Sequence, residues 1–355
     1  MSQNTPNTTL IVGSGLAGIC IAYELHKKQI PFQIIDSGVN VSTDIAAGII
    51  NPIVFRRVTT SWRVSDFIPE ALKFYEELTA AWGNTYFKEI PIRRAFSHQQ
   101  EVDLWLKKQE LPEFTPYLKP LDEDDEKCNK VINTFGTGKV YQSGYVEASL
   151  LLKDALIWLE SENYLRKETF VHADLDPETG AYHGENFKDI IFCEGYQGVY
   201  NPWFSYLPLE TTKGEVLTIE SKGLTEEESV NRKCFVMPIG NHRFKVGATY
   251  EWNTANTEIT EEGKNTICEN FKSLTKEDFT IVSQKAGIRP TTLDRRPLIG
   301  SHQIYKKLKI FNGLGAKGFL IAPLLAKEFI ISIENNISID KEVNVERYNR
   351  LLNKN

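Results

Sequence analysis

The sequence predicts an α/β fold: a domain built from βαβ units and, inserted into it, a second domain with a mainly antiparallel sheet (α+β). Three observations support this prediction. A strand, a glycine-rich turn, a helix and a second strand follow one another within the first 36 residues. Short alternating runs, typical of β-hairpins, occupy residues 214–250. A second glycine-rich turn follows a strand near residue 313.

The first βαβ unit begins with an apolar strand at residues 10–12 and a glycine turn at 13–18. Helical spacing of apolar residues then covers 16–28. A second apolar run at 31–35 ends on Asp36, which lies 18 residues after the last glycine. This order and spacing match the dinucleotide-binding fingerprint of Rossmann-like domains, so we predict a dinucleotide here. The alternative is a glycine-bearing turn without a ligand.

Each part of this motif has a chemical reason. Gly13 allows the tight turn, Gly15 lets the backbone approach a pyrophosphate, and Gly18 lets the helix pack closely on the strand. The N-terminal end of the helix attracts the phosphate charge. Asp36 is expected to accept a hydrogen bond from a ribose hydroxyl.

Composition and charge exclude several classes of protein. The 355 residues are 41% hydrophobic and 25% charged, which suits about two globular domains, and the net charge of −6 gives no general attraction for nucleic acid or anionic membranes. The five scattered cysteines and six histidines show no spacing typical of metal ligands or disulfides. The polar N-terminus lacks a signal-peptide pattern, and the longest apolar segment, 319–333, is interrupted by Pro323 and two charged residues. We expect a cytoplasmic enzyme without metal or transmembrane segment.

The remaining elements change in character along the chain. Amphipathic patterns predict helices, alternating patterns predict the strands of an antiparallel sheet, and the change between them indicates a second domain. The predicted helices are 66–82, 101–108, 147–160 and 260–274; the predicted strands are 189–195, 214–220, 233–239 and 243–250, with a hairpin at 240–241, a loop or short helix at 45–52 and an acidic surface loop at 112–130.

The second glycine turn, at residues 312–318, follows a strand-like run at 308–311 and precedes a long apolar helix from Phe319. No strand ending in an acidic residue follows at the right distance, so we do not expect a second dinucleotide site. Two interpretations stay open. The helix N-terminus faces a group that gains negative charge, such as a flavin ring, or the glycines only allow close helix packing.

Four segments resemble the D-amino-acid-oxidase-like FAD oxidoreductases, a family that includes glycine oxidase and sarcosine oxidase. The most diagnostic is AGIRPTTLDRRPLIG, which meets every fixed position of the family pattern Gly-x-Arg-Pro-x-Thr-x-Asp-x-x-Pro-x-Ile-Gly. The others are VGSGLAGICIAYELHKK, AAGIINP and NGLGAKGFLIAPLLAKEF. The spacing of GIINPIV before a long helix also resembles the flavin domain of the bifunctional tRNA wobble-uridine modification enzyme.

The resemblance implies noncovalent FAD and a Rossmann-like FAD-binding domain formed by residues 1–65, 140–205 and 285–355, with residues 66–139 and 206–284 as the substrate domain. The flavin is expected along residues 46–51, its pyrimidine end near 315–319, and its adenine near a strand at 170–171. Glu194 lies where relatives carry a small residue, and its role is not predicted. The implied cofactor-binding residues are Gly13, Gly15, Leu16, Ala17, Gly18, Asp36, Ser37, Ala46, Ala47, Gly48, Ile49, Asn51, Val171, Gly195, Gly315, Ala316, Lys317, Gly318 and Phe319.

The resemblance also implies three catalytic candidates. Arg289 is expected to bind a substrate carboxylate, for which its planar guanidinium is suited, although a salt bridge to Asp294 is an alternative. Tyr250 is expected in the substrate cavity or is an ordinary strand aromatic. Lys317 lies where glycine oxidase has an arginine and either tunes the flavin or extends its amine to solvent. The pair at 56–57 either receives a second anionic group or is surface charge.

The function implied is oxidation of the C–N bond of an amino acid or N-substituted amino acid. Hydride passes to the flavin N5 atom, and the resulting imine hydrolyses. The expected partners are a small-molecule amine or amino acid and either oxygen or another electron acceptor, with no nucleic acid. Alternatives are a tRNA-modifying amine oxidase acting on a carboxymethylaminomethyl-uridine, a flavin-bearing subunit without its own catalysis, and a nicotinamide-only dehydrogenase, which would leave the C-terminal glycine block without a role.

Overall fold

The protein combines a central parallel sheet with a large, mainly antiparallel one, as seen in a computed structural model that describes residues 7–39, 41–119 and 130–352. Its strands are β1 (Thr9–Val12), β2 (Phe32–Ile35), β3 (Ile49–Ile50), β4 (Ile53–Val54), β5 (Thr59–Thr60), β6 (Phe87–Glu89), β7 (Ile92–Ala95), β8 (Thr137–Val140), β9 (Gly144–Val146), β10 (Leu165–Arg166), β11 (Leu175–Asp176), β12 (Ala181–Tyr182), β13 (Glu185–Asn186), β14 (Asp189–Phe192), β15 (Leu209–Glu220), β16 (Ser229–Asn231), β17 (Phe235–Gly240), β18 (Arg243–Gly247), β19 (Glu251–Trp252), β20 (Thr280–Thr292), β21 (Leu298–Ser301) and β22 (Leu308–Asn312).

The helices agree with the amphipathic patterns to within about three residues at either end. The apolar faces of the helices at 16–27, 64–82, 99–108, 148–161 and 318–335 share one buried cluster, whereas the helix at 261–272 packs in a separate cluster with the second sheet. In the first cluster the Tyr75 hydroxyl donates a hydrogen bond of 2.7 Å to the carbonyl oxygen of Phe319. Helix–helix packing therefore fixes the start of the C-terminal helix. The helices are α1 (Leu16–Lys27), α2 (Val41–Ile45), α3 (Val64–Trp82), α4 (Gln99–Lys108), α5 (Ala148–Ser161), α6 (Glu261–Lys272), α7 (Gly318–Asn335) and α8 (Asn349–Leu352).

The central sheet has the strand order β10-β2-β1-β14-β22-β21, and its strands are parallel except for β21. Strands β1 and β14 are buried along their whole length, as expected for a sheet covered on both faces. The chain leaves β1 toward β2 on one side, whereas β14 lies on the other side. Ligands of such sheets bind at this switch point, beyond the carboxyl ends of the strands. The predicted α/β class is confirmed.

The second sheet has eight strands, ordered β19-β15-β18-β17-β16-β7-β8, with β20 paired along the other edge of β15. Asn241 and His242 connect β17 to β18 with positive φ angles of 56° and 57°, which matches a two-residue hairpin turn one position after the predicted one. The strands β7 and β8 come from an earlier part of the chain. The 13-residue β20 was not predicted as a strand.

Two predicted strands differ from the structure. The strand expected at 170–171 is wrong, because those residues lie in an extended connection and the edge strand of the parallel sheet is β10. The strand expected to reach residue 250 ends at Gly247. Part of the predicted acidic loop, residues 120–129, lies outside the described residues. The division into two discontinuous domains stays a prediction; α3, which it assigns to the substrate domain, packs against α7.

No helix in the described part of the chain is long and apolar enough to cross a membrane.

A buried ion pair holds the edge of the second sheet. Arg93 on β7 donates to both carboxylate oxygens of Glu228, which precedes β16, and to the Thr137 hydroxyl at 2.9 Å. Both charged side chains are almost completely buried. Removing one partner of such a pair leaves the other charge buried and unpaired.

We therefore expect Glu228→Ala to lower the free energy of unfolding by about 3–5 kcal/mol in urea titrations. Glu258→Ala, which removes an exposed carboxylate from the same region of the chain, is the control and should change it by less than about 0.5 kcal/mol. Equal effects of the two substitutions would contradict the structural role given to Glu228.

Candidate active site

A cavity of about 810 Å3 lies at the carboxyl ends of β2, β1, β14 and β22 and extends to the second sheet. Both glycine turns line it, although about 300 residues separate them in the sequence. Because parallel strands end at the same edge, the loops that follow them meet there. The fold thus brings the N-terminal and C-terminal motifs into one site.

The first turn is closed by direct backbone contact. Gly13 has a φ of +102°, and a Cβ atom on it would lie 2.6 Å from the carbonyl oxygen of Cys193. A Cβ atom on Gly18 would lie only 1.9 Å from the carbonyl oxygen of Gly13. Helix α1 therefore starts directly against the turn. Its first turn carries no acidic side chain, and Gly15 at its N-cap provides no capping group, so this end is suited to an anion.

Asp36 is held at the end of β2. Its carboxylate oxygens accept hydrogen bonds of 2.5 Å from the backbone N–H groups of Ser14 and Gly38. The side chain therefore links the end of β2 to the first glycine turn and lines the cavity.

The second turn starts α7 at the same cavity. Gly313 and Gly315 have positive φ angles of 72° and 57°. The Asn312 side-chain amide donates a hydrogen bond of 2.8 Å to the carbonyl oxygen of Gly195, which ties the end of β22 to the end of β14. Helix α7, like α1, has no acidic residue in its first turn. Two positive helix ends therefore face one cavity.

Residues 46–51 form the wall between the two sheets. Gly48 has a φ of +67°, and a Cβ atom there would lie 2.0 Å from the carbonyl oxygen of Val146. Lys245 on β18 donates a hydrogen bond of 3.0 Å from Nζ to the carbonyl oxygen of Ala46. The Ser42 hydroxyl of α2 donates to the carbonyl oxygen of Ile288 on β20. Contacts to both β18 and β20 thus fix this segment.

Arg289 projects from β20 into the cavity. Its guanidinium lies over the Tyr250 ring, 4.5 Å from the ring centre, and Nη1 is 3.5 Å from the carbonyl oxygen of Thr249. Within the described residues it forms no ion pair, and Asp294, the alternative partner, binds Arg347 at 3.1 Å instead. Burial lowers the pKa of Arg289 from its usual value. The group is thus a partly desolvated cation without an anion.

Tyr250 lies in the segment that follows β18 and is 60% exposed. Its ring lines the cavity beneath the Arg289 guanidinium, where a cation over an aromatic face is attracted to the ring. A glycine at residue 214 leaves room for the guanidinium, because a Cβ atom there would lie 2.3 Å from Nη2 of Arg289. The space at Gly214 and the position of the Tyr250 ring together orient the Arg289 guanidinium.

Lys317 immediately precedes α7. Its Nζ donates to the carbonyl oxygen of Asn51, at 3.2 Å, and to the Ser61 hydroxyl. Burial lowers the pKa of Lys317 to about 8. Its amine therefore faces the protein rather than solvent, and it holds residues 46–51 against the second glycine turn.

Nearly all the residues implied by the family resemblance lie around this cavity. Gly18 instead packs beneath the first turn, and Val171 is 43% exposed and outside the lining, although Phe170 and His172 beside it are part of it. Arg56 and Arg57 are exposed and lie outside this cavity. The predicted residues that line it are Gly13, Gly15, Leu16, Ala17, Asp36, Ser37, Ala46, Ala47, Gly48, Ile49, Asn51, Gly195, Tyr250, Arg289, Gly315, Ala316, Lys317, Gly318 and Phe319.

Sequence reasoning missed the partners of Glu194. One carboxylate oxygen is 2.7 Å from Nε2 of His172, and the other accepts a hydrogen bond of 2.8 Å from the Asn201 side chain. Where the family resemblance implies a small residue, this chain thus has a hydrogen-bonded carboxylate at the end of β14. Nothing local in the sequence indicates these partners, since they lie in separate loops.

The second sheet contributes lining residues that were not predicted, among them Asn231, Lys233 and Phe235. Besides Tyr250, the aromatic residues Tyr196 and Tyr200 line the cavity, whereas the nearby Trp203 and Trp252 are not among the lining residues.

Comparison with known proteins connects this site to flavoenzymes. Residues 8–330 match the model of the DAO family, described as FAD dependent oxidoreductase. Glycine oxidase of Bacillus subtilis is 22% identical over 382 residues, covering 94% of each chain. The crystal structure of glycine oxidase from Geobacillus kaustophilus superposes with a TM-score of 0.77 at 19% identity, covering 93% of this chain and 95% of that one.

A second kind of relative is the tRNA 5-methylaminomethyl-2-thiouridine biosynthesis bifunctional protein MnmC. The protein from Legionella pneumophila (strain Philadelphia 1) is 23% identical over 332 residues, which cover 85% of this chain and 48% of that protein. The chain thus spans about half or less of the length of the bifunctional relatives it matches.

The residues at the sheet edge fit FAD. A pyrophosphate requires close backbone approach and positive charge, and the first turn offers Cβ-free positions at the start of α1. Asp36 offers a fixed carboxylate for a ribose. The second helix end and Lys317 would supply positive charge to a flavin bound in this cavity, and a reduced flavin carries negative charge. The individual FAD contacts stay proposals.

Closure of the first turn can be tested with Gly18→Ala. The added methyl group meets the Gly13 carbonyl, so the turn must shift, and we expect the dissociation constant for FAD to rise at least about tenfold. Flavin fluorescence quenching on reconstitution of the apoprotein measures it. Gly184→Ala is the control for the general cost of replacing a glycine, because Gly184 has a φ of +80°, open space around its Cβ position and no place in the cavity lining. Unchanged affinity in Gly18→Ala would contradict the role of this contact.

The pKa of Lys317 predicts a pH dependence of apoprotein stability. The folded pKa is about 8, whereas an ordinary lysine titrates near 10.4. Between these values the unfolded chain binds more protons, so this residue stabilises the folded state increasingly as pH rises through that range. We expect the free energy of unfolding of the original protein, relative to Lys317→Met, to increase from about pH 7 to about pH 10 in urea titrations.

The matched control for this titration is Lys222→Met, which removes an exposed lysine outside the cavity. The difference in unfolding free energy between the original protein and this control should not change over the same pH range. A Lys317→Met difference that is equally independent of pH would show that the Lys317 amine titrates normally.

Proposed function

The chain belongs to the FAD dependent oxidoreductase (DAO) family, and from this premise we propose that it oxidises the C–N bond of an amino acid or N-substituted amino acid. It is an FAD-dependent oxidoreductase related to glycine oxidase. The substrate class is the part that we propose. Its electron acceptor is oxygen or another carrier.

The observation that carries this proposal is the partly desolvated guanidinium of Arg289, which lines the cavity and has no ion-pair partner within the described residues. Burial of a cation is unfavourable unless an anion or hydrogen-bond acceptors compensate for the lost water. Its neighbours within the described residues are the Tyr250 ring and one carbonyl oxygen at 3.5 Å. A substrate carboxylate would accept two parallel hydrogen bonds from the planar guanidinium and would thereby compensate for its lost hydration.

In this reaction the residues of the chain bind and orient the substrate. Arg289 binds the carboxylate and thereby places the adjacent carbon against residues 46–51, while the Tyr250 ring limits rotation of the guanidinium. Bound FAD supplies the two-electron oxidation. The substrate loses two electrons and two protons to become an imine, and water then cleaves the imine into a carbonyl compound and an amine. A neutral amine needs no dedicated general base for this step.

We expect Arg289→Met to reduce kcat/KM for reactive amino acids by about 30- to 1000-fold, corresponding to a loss of about 2–4 kcal/mol from a buried charge pair. Anaerobic bleaching of the flavin after mixing with sarcosine and other N-substituted amino acids measures this. Arg295→Met, an exposed arginine of the same segment, is the control and should behave like the original protein. Failure of every amino or imino acid to bleach the flavin would overturn the proposed function.

A second candidate is oxidation of a carboxymethylaminomethyl group on a tRNA uridine. It is favoured by the similarity of 85% of the chain to a part of the Legionella MnmC protein. This function requires tRNA phosphates to contact cations, so binding should weaken steeply as salt increases. Gel shifts with unmodified and modified tRNA at increasing salt test it, and absence of a salt-sensitive shift would eliminate this candidate.

A further inference from the structure

The charges around the cavity differ between its two ends: the end at the parallel sheet carries both signs, since Lys317 lies there with two acidic residues, whereas the end at the second sheet is positive. The acidic lining residues, Asp36 and Glu194, follow strands of the parallel sheet. The lining residues contributed by the second sheet and its connections include the cations Lys233 and Arg289 and, within the described residues, no acid. The part of the cavity that faces the second sheet is therefore positive at two separate places.

The wall between these two cations crosses five neighbouring strands. Arg289 lies on β20, which pairs with β15, and the pairing continues through Gly247 on β18 and Phe235 on β17 to Asn231 on β16. Four strand spacings of about 4.8 Å place the backbones of β20 and β16 about 19 Å apart. The guanidinium of Arg289 reaches over Gly214 on β15, one strand spacing nearer to β16, so the gap between the two charges is shorter than the distance between the strands. A ligand that meets both cations must therefore be extended rather than compact.

The middle of this wall is lined by small or apolar residues. A side chain at residue 214 would collide with Arg289, and a Cβ atom at residue 247 would lie 3.0 Å from the Phe235 ring. Val216 lies between them on the lining. An uncharged chain of several bonds suits this stretch, because it offers no charged side chain.

Lys233 lies in the connection between β16 and β17, and its side chain is exposed while lining the cavity. Within the described residues it forms neither a hydrogen bond nor an ion pair through its amine. The amine is therefore available to a ligand.

A smaller cavity of about 350 Å3 adds to the positive charge at this end. It shares Asn231 with the main cavity and is also lined by Arg56, Arg94 and Arg232. Its one acidic lining residue, Glu101, is paired with Arg94 at 2.7 Å. Arg94 also donates a hydrogen bond of 2.8 Å to the Asn231 side chain, which fixes the boundary between the two cavities.

We propose that the substrate carries a second anionic group, a carboxylate or a phosphate, which binds at Lys233 while the amino-acid carboxylate binds Arg289. This assignment rests on the proposed function and names its substrate class: an amino acid whose nitrogen substituent or side chain ends, several bonds away, in an anion. Arg56 and Arg232 of the smaller cavity raise the positive potential at that end without contacting the reacting atoms, whereas the charge of Arg94 is offset by Glu101.

Two non-oxidisable probes of nearly equal size separate the distal anion from chain length. Suberate has a carboxylate at both ends, whereas monomethyl suberate has one. Binding of each to the FAD-loaded protein is measured from the change in the flavin visible spectrum. We expect suberate to bind about three- to fivefold more tightly, as for an ion pair near solvent, and the difference to shrink as salt is added.

Lys233→Gln should remove the preference for suberate, and Lys222→Gln should preserve it. An ω-phosphono acid of the same length distinguishes a phosphate site, which it would favour over suberate, from a carboxylate site. The FAD content and unfolding midpoint of Lys233→Gln establish that the variant is folded. If Lys233→Gln does not fold, the salt dependence of the suberate preference in the original protein decides whether the distal-anion site exists.

The outcomes separate this inference from the proposed function. Equal binding of the two probes to the original protein, no binding of suberate, or a preference that survives in Lys233→Gln would overturn the distal-anion site. Arg289→Met instead tests the first carboxylate site: if monomethyl suberate binds to this variant as tightly as to the original protein, the proposed function fails. Oxidation of simple amino acids without any preference for a distal anion would retain the function and eliminate only this inference.

Discussion

The site depends on close approach of backbone segments at one edge of the parallel sheet. Gly18 has no room for a Cβ atom against the Gly13 carbonyl, and Gly13 has none against Cys193. Since these contacts join α1, β1 and β14, they determine how near the helix end lies to the cavity. Asp36 adds a hydrogen bond from the neighbouring strand. The side chains of the second sheet that line the cavity therefore lie opposite a backbone surface that these contacts hold in place.

Local patterns in the sequence were sufficient for much of this arrangement. The first βαβ unit is predictable because strand, turn, helix and acid follow one another within 36 residues, and each preference is satisfied by neighbours in the chain. The helices α3 and α6 are predictable for the same reason, since their apolar residues recur at helical spacing. The family resemblance then brought residues 46–51, 289 and 315–319 to one site, which spacing alone does not provide.

Features formed by distant segments were not predictable. Strand β20 contains Gly287 and Pro290, which argue against a strand, and it is stabilised by pairing along β15, about 70 residues earlier. Glu194 finds its partners in two other loops. Lys233 lines the same cavity as Arg289, although three strands separate β16 from β20 in the sheet. This proximity to one cavity is set by the strand order. Such contacts depend on topology, which a single sequence encodes only indirectly.

The two cations that the second sheet and its connections contribute to the cavity differ in the free energy that their burial costs. Lys233 keeps much of its contact with water, so its charge adds little unfavourable energy and can attract a ligand without specialised support. Arg289 is desolvated, yet its surroundings offer an aromatic face and a carbonyl rather than a carboxylate. A structural arginine would be more stable with an acidic partner, as Arg93 is with Glu228. The absence of such a partner around Arg289 within the described residues is therefore the physical reason for proposing that the compensating anion arrives with the substrate.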